Sequence, residues 1–224
     1  MSVGGKPQPS FVGETATSLS DRAYERLLDM IVQRELPADT VLQERPLAEF
    51  LKISRTPLRQ ALNRLESEGL LERSPGRALV VKKISPRELI EALHVRMLLE
   101  VEAISLAIGR IPAEAIDAVE ADVRSLLERP NASGAEDWEV DSAFHGLIAR
   151  ASGNRVLAEM IEALRLRTHM FNVDRVPERF VIGHEEHLAM LDALRRGDEQ
   201  AARSGMQSHI ANVKASILQK LGEV

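Results

Sequence analysis

LQERPLAEFLKISRTPLRQALNRL, residues 42–65, reads as two short helices joined by a tight turn, and the second has a polar face unlike that of an ordinary surface helix. Leu47, Ala48 and Leu51 give the first helix an apolar side, with Pro46 tolerated in its opening turn. Lys52 and Ile53 make the turn, and Ser54 is an N-cap for a helix that runs to about Glu68. Leu58, Ala61, Leu62 and Leu65 recur at helical spacing and predict the buried side. The other side shows Arg55, Thr56, Arg59, Gln60 and Asn63, with no carboxylate before Glu66. Guanidinium, amide and hydroxyl groups are the ones that clamp phosphates and read base edges, so this face is expected to lie on DNA. A solvated helix in some other bundle is the plainer alternative.

The flanking residues extend the pattern. Gly69 stops the helix, and Leu70-Leu71-Glu72 and Ala78-Leu79-Val80-Val81 read as two short strands around Ser74-Pro75-Gly76-Arg77. A helix-turn-helix followed by a hairpin is a winged helix, and a tip carrying Gly76 and Arg77 suits a minor groove. Upstream, Ser20 to Arg34 reads as an amphipathic helix with Tyr24, Leu27, Leu28 and Ile31 inward. Residues 19–83 are therefore expected to form one three-helix winged domain, after a flexible tail over residues 1–18.

Charge is divided along the chain. Residues 42–83 hold nine Lys/Arg against five Asp/Glu, whereas residues 85–224 hold 16 against 23. The basic excess coincides with the proposed DNA contact, and the acidic remainder would repel a phosphate backbone. With no cysteine there is no disulfide and no thiol nucleophile, which suits a cytoplasmic protein. No apolar run approaches membrane-spanning length, so no membrane partner is expected.

The second half, residues 84–224, is expected to be an antiparallel all-α bundle of about six helices, making the fold class mainly α. Ser85-Pro86 starts a helix that buries Ile90, Leu93, Met97, Val101, Ile104 and Ile108; Pro112 opens a second, running to about Arg129; and Pro130–Gly134 is a loop. The third takes about 135–151. Ser152-Gly153-Asn154 is a break with Gly153 as stop and Asn154 as cap, and the rest occupy about 155–171, 178–196 and 198–221.

All six histidines fall in this half. Asp141 and His145, four apart, share the inward face with Ile148. His187 is in step with Leu191 and Leu194, and His209 with Met206, Val213 and Ile217. Three imidazoles and a carboxylate on the inward faces of three helices suit Zn²⁺, Ni²⁺ or Mn²⁺, with positions left open for water or ligand. Taken singly, each His also reads as a core side chain bonded to a carbonyl, and His184, three residues from His187, is the alternative ligand. Arg96 and Glu100, four apart, read either as a helix salt bridge or as an effector site in which Arg96 enters the cavity and pairs with an acid.

The chain resembles the GntR family of bacterial transcription regulators, in its FadR-type branch with the FCD effector domain, over about residues 19–222. The resemblance rests on ISRTPLRQALNRLESEGLLERSPGRALVV and, further on, on Arg96-x-x-x-Glu100, Asp141-x-x-Phe144-His145, Ser152-Gly153-Asn154, Glu186-His187, Arg196-Gly197-Asp198 and His209. It implies DNA contacts at Arg45, Arg55, Thr56, Arg59, Gly76 and Arg77, to which position adds Ser54 and Asn63. It also implies that Asp141, His145, His187 and His209 bind a divalent metal, and that a small carboxylate effector completes the coordination and meets Arg96. Glu35 and Asp39 depart from the family, standing where many members have glycines.

The expectation is a homodimeric, ligand-responsive repressor that reads a palindromic double-stranded operator through two successive major grooves. Three rivals are a metal-dependent hydrolase or isomerase, a regulator switched by metal alone, and a fatty-acyl-responsive member that needs no metal.

Overall fold

Three helices, a two-stranded hairpin and six further helices follow one another in this computed structural model, which describes residues 18–129, 132–171 and 177–222. The tail expected over residues 1–18 falls outside the described residues except for Ser18, as do Pro130 and Asn131 of the expected loop.

Helix α1 (Leu19–Val32) begins one residue before the stretch expected from Ser20, because Ser18 caps it. The Ser18 hydroxyl accepts from the Asp21 amide while the Asp21 carboxylate reaches back to the Ser18 amide, which pairs two otherwise orphaned donors. Helix α2 (Glu44–Leu51) ends on Lys52, held in the left-handed region at φ 55°, and this tight turn launches α3 (Arg55–Ser67). Leu58, Ala61, Leu62 and Leu65 are buried as expected and pack on Leu27 and Ile31 of α1. Ser54 occupies the N-cap position of α3, but its hydroxyl makes no cap hydrogen bond.

Strands β1 (Leu71–Arg73) and β2 (Leu79–Val81) pair antiparallel, Leu71 with Val81 and Arg73 with Leu79, and Val41 bridges to Val80 alongside. The loop after α1 turns on Arg34 (φ 62°) and Asp39 (φ 68°), both left-handed. Asp39 thus occupies a conformation that glycine adopts more easily, whereas Glu35 pairs with Arg26 at 3.0 Å.

The bundle comprises α4 (Pro86–Ala107), α5 (Ala113–Leu127), α6 (Gly134–Ala151), α7 (Arg155–Met170), α8 (Pro177–Arg196) and α9 (Glu199–Gly222). Helix α4 is its spine, packed against α6, α7 and α9. Its inward face differs from the expected stripe: Leu89, Leu93, Arg96, Glu100, Ala103, Ile104 and Ala107 are buried, while Ile90, Met97, Val101 and Ile108 are half-buried. An apolar pattern alone misplaces this face because two charged residues lie at its centre. At the other end of the break, Gly153 (φ +74°) ends α6 and the Asn154 side chain accepts from the Leu157 amide.

Each domain has its own apolar core, and the end of α7 touches both. Met170 packs against the bundle core, and Leu166 and Met170 pack against that of the winged domain. Between the domains, β2 leads into α4 through a short link in which Lys82 pairs with Glu88 at 2.7 Å. Ser85 caps α4 and forms a reciprocal box with Glu88. Ser85→Ala is therefore expected to lower stability by about 0.5–2 kcal/mol, read as a lower midpoint in chemical denaturation with an unchanged slope.

Candidate metal centre and nucleic-acid interface

Helix α6 brings Asp141 and His145 inward one turn apart, α8 contributes His187 and α9 contributes His209. One ligand atom from each of the four lies within 4.8 Å of the others. His187 Nε2 is 3.4 Å from His209 Nε2, while an Asp141 oxygen lies 3.6 Å from His145 Nε2 and 3.7 Å from His187 Nε2. The three rings are buried, and His187 stacks on Phe144 with centroids 4.0 Å apart.

What surrounds these rings fixes their orientation. His145 Nδ1 bonds to Glu100, and His209 Nδ1 bonds to Glu186 at 2.8 Å, so each ring turns its Nε2 toward the others. His145 Nε2 is buried with no hydrogen-bond partner among the described residues. Carboxylate-braced imidazoles with a bare inward nitrogen are how metal-ligating histidines are usually held. Burial, with His209 and His145 nearby, holds His187 well below the ordinary histidine pKa. Burial also lowers His209, although its bond to Glu186 opposes this, so both rings are neutral donors. Burial by itself would raise Asp141, but Arg165 and the neighbouring imidazoles outweigh it and keep the carboxylate ionised. For Glu186 the bonds from His209, Arg179 and Asn212 likewise outweigh burial and lower its pKa to about 2.

His184, the alternative ligand, lines the same cavity with its ring 5.4 Å from that of His187 but falls outside the four-donor group: its Nδ1 donates to the Phe180 carbonyl at 2.7 Å and its Nε2 is 3.4 Å from Asp137. His94 is exposed, and His169 donates from Nε2 to the Val32 carbonyl at 3.1 Å. Beside the four donors lies a cavity of about 250 Å³ lined by Arg96, Trp138, Thr168, His169 and Arg179 among others. Arg96 thus lines the cavity. Glu100, expected beside it in that site, is not among the lining residues. Its oxygens are occupied by Arg96 Nε (2.8 Å) and by His145, so it acts between them instead. The Arg96–Glu100 helix pair and the inward Arg96 therefore coexist. Sequence reasoning missed Arg165 as the partner of Asp141 and left Glu186 without a role. Only a charge at helical spacing from Leu157 and Ile161, both buried, hinted that Arg165 faces inward.

On the winged domain, Ser54, Arg55, Thr56, Arg59, Gln60 and Asn63 are all exposed, as are Gly76 and Arg77 at the wing tip. Arg55 has no carboxylate partner among the described residues, whereas Arg59 is held by Glu44 at 2.7 Å and Arg45 by Glu49 at 3.1 Å. Such exposed pairs are weak, so an incoming anion would displace those carboxylates at little cost. Arg77 is left-handed at φ 62°, which lifts it to the hairpin apex.

Two family models cover this chain: "Bacterial regulatory proteins, gntR family" over residues 19–81 and "FCD domain" over residues 91–212. The chain belongs to the gntR family of bacterial regulatory proteins. A transcriptional regulator in an unstable DNA locus of Streptomyces ambofaciens is 30% identical over 85% of this chain and 81% of its own. The structure of McbR/YncC from Escherichia coli superimposes with a TM-score of 0.80 at 26% identity, covering 92% of this chain and all of that one. The zinc-bound FCD domain of a regulator, TM0439, matches 63% of this chain and 99% of its own at a TM-score of 0.54 and 21% identity, a likeness of fold.

The protein is a transcriptional regulator with a DNA-binding helix-turn-helix and an FCD effector domain, and regulators of this family bind operator DNA. Its families and relatives are regulators and not enzymes, which removes the hydrolase or isomerase reading. No helix among the described residues is long and apolar enough to cross a membrane.

Proposed function

We propose that this chain is a cytoplasmic, homodimeric repressor that binds a palindromic operator and releases it when a small carboxylate occupies the bundle. The residues proposed to touch DNA are Arg45, Ser54, Arg55, Thr56, Arg59 and Asn63, with Gly76 and Arg77 of the wing. The polar face of α3 is exposed along its length, as contact with an operator requires. Two such faces related by a two-fold axis match a palindrome. The expected consequence is that Arg55→Ala and Arg59→Ala each lose specific operator binding while retaining fold and dimerisation. A bidentate arginine–guanine contact is worth roughly 1–3 kcal/mol and a dimer loses it twice. Gel-shift affinity unchanged in both variants would overturn the assignment.

The observation that carries the rest of the reading is the convergence of four donors from three helices, two of them, His145 and His209, braced by carboxylates behind them. Asp141, His145, His187 and His209 would hold one divalent ion, Zn²⁺, Ni²⁺ or Mn²⁺, and the zinc in the FCD domain of TM0439 supports the same use here. When bound, the ion supplies a Lewis-acid centre for a carboxylate oxygen. Protein purified without chelator is expected to carry about one equivalent of metal per chain, and His145→Ala and His209→Ala are expected to lose it. Removal by chelator should lower the melting temperature, since a ligand at a hundredfold excess over its dissociation constant stabilises by about 2.7 kcal/mol. Elemental analysis that finds no metal, or full occupancy in both variants, sinks the proposal.

The acid follows from charge. One carboxylate and three neutral imidazoles leave a divalent ion cationic, and Arg96 lines the same cavity at 8% exposure. A buried cationic cavity favours an anion. Truncating Arg96 would strip Glu100 of a partner, so Arg96→Lys, which keeps the charge but loses the planar fork, is the cleaner variant. In a thermal-shift screen, mono- or dicarboxylates should stabilise the wild type, and Arg96→Lys should lose most of that response. Stabilisation by neutral sugars alone, or operator release by metal alone, would replace the acid effector with another signal.

A further inference from the structure

The last turn of α7 faces two ways. Arg165 and Thr168, three residues apart, share the side toward the candidate metal centre. Arg165 pairs with Asp141, and Thr168 Oγ1 accepts from Arg96 Nη1 at 2.8 Å. The residues between and after them grip the winged domain. Leu166 and Met170 pack into its core, and Arg167 Nη2 donates to the Glu68 carbonyl at 3.0 Å. Glu68 is the C-cap of α3, the recognition helix, so this guanidinium satisfies one of its otherwise orphaned carbonyls.

The approach is close. A Cβ on Gly69, which is itself left-handed at φ +75°, would lie 3.0 Å from Arg167 Nη2. His169 does the same for α1, donating to the Val32 carbonyl while its ring lines the cavity beside the metal centre and lies tilted by 31° against Trp138 with centroids 4.0 Å apart. Beside this contact the domains stand apart around a cavity of about 510 Å³, bounded by Leu28 and Asp29 of α1, Trp138 and Ser142 of α6, and Arg165 and Leu166 of α7. The hold of the bundle on the recognition helix is therefore narrow and concentrated in one helical turn.

We propose that the Arg165–Met170 turn transmits the state of the metal and effector pocket to the recognition helix, with Arg167 as the residue that positions the end of α3. The inference rests on the metal reading above. An ion that draws on Asp141, or an acid that draws on Arg96, changes the load on Arg165 or Thr168. A helical turn cannot move one of its faces without the other, so Glu68 and Val32 shift with it.

The test uses the full chain, zinc as the probe, and a duplex selected by the wild type from a random library. Zinc content, amide hydrogen exchange and duplex affinity are measured in zinc-loaded and chelated samples. In the wild type, zinc should slow exchange across residues 30–36 and 66–71 and change duplex affinity within the usual allosteric range of about 5–150-fold. Arg167→Ala should keep its zinc and its circular dichroism spectrum, yet lose the zinc-dependent change in exchange at 66–71 and most of the change in affinity. Arg167→Lys, retaining a donor, should recover part of both.

Trp138, the single tryptophan, gives an independent fluorescence report from the pocket side and should respond to zinc in every variant. If Arg167→Ala fails to fold, Arg167→Gln, which shortens the side chain and removes the guanidinium that reaches Glu68, is measured in its place: a lost response supports the coupling and a full one overturns it. Bound zinc with unaltered exchange in the wild type, or a full response in Arg167→Ala, overturns the coupling alone. Wild type that binds no zinc overturns the metal reading and this one together.

Discussion

Glu100 carries its charge in the middle of the bundle at 2% exposure, and the polar interior is arranged around that constraint. Burial alone would drive the carboxyl neutral. Arg96 and His145 outweigh it, so Glu100 stays ionised far below the usual carboxylate range. A dehydrated ion of this kind is tolerable only when each oxygen has a partner, and leaving it unpaired costs about 3–5 kcal/mol. The same pairing does further duty. By taking His145 Nδ1 it leaves Nε2 facing the other donors, and by taking Arg96 Nε it holds that guanidinium at the cavity wall. The stability of the bundle, the orientation of His145 and the placement of Arg96 at the cavity wall therefore share one carboxylate.

Around this interior the helices act as rulers. Asp141 and His145 are one turn apart on α6, while His187 and His209 come from α8 and α9, so the four donors meet only when three helices pack. A site built that way is sensitive to helix position. Arg165 adds α7 to the same set, and α7 is also the helix whose end docks on the winged domain. The division of charge completes the design. An acidic bundle would be repelled by a phosphate backbone, whereas the cationic face of α3 and the wing tip are exposed.

Much of this was legible along the chain. The helix-turn-helix and its hairpin came from local signals: apolar spacing in residues 58–65, the stop at Gly69, and turn residues between two β-rich runs. The inward positions of Asp141, His145, His187 and His209 followed from helical periodicity, since each is in step with buried aliphatic residues. Where sequence failed, as on α4, charged residues occupied the buried face and the apolar pattern pointed to its flanks.

Residue periodicity fixes which side of a helix a group occupies, because a helix repeats every 3.6 residues whatever its neighbours are. It does not fix which group on another helix it meets. Glu100 finds His145 across 45 residues, Arg167 finds Glu68 across 99, and His169 finds Val32 across 137. Those pairings depend on how helices cross and on the need to partner every charge taken out of water. The bracing of His209 by Glu186, the turning of Glu100 away from the cavity, and the two-faced end of α7 were decided only there.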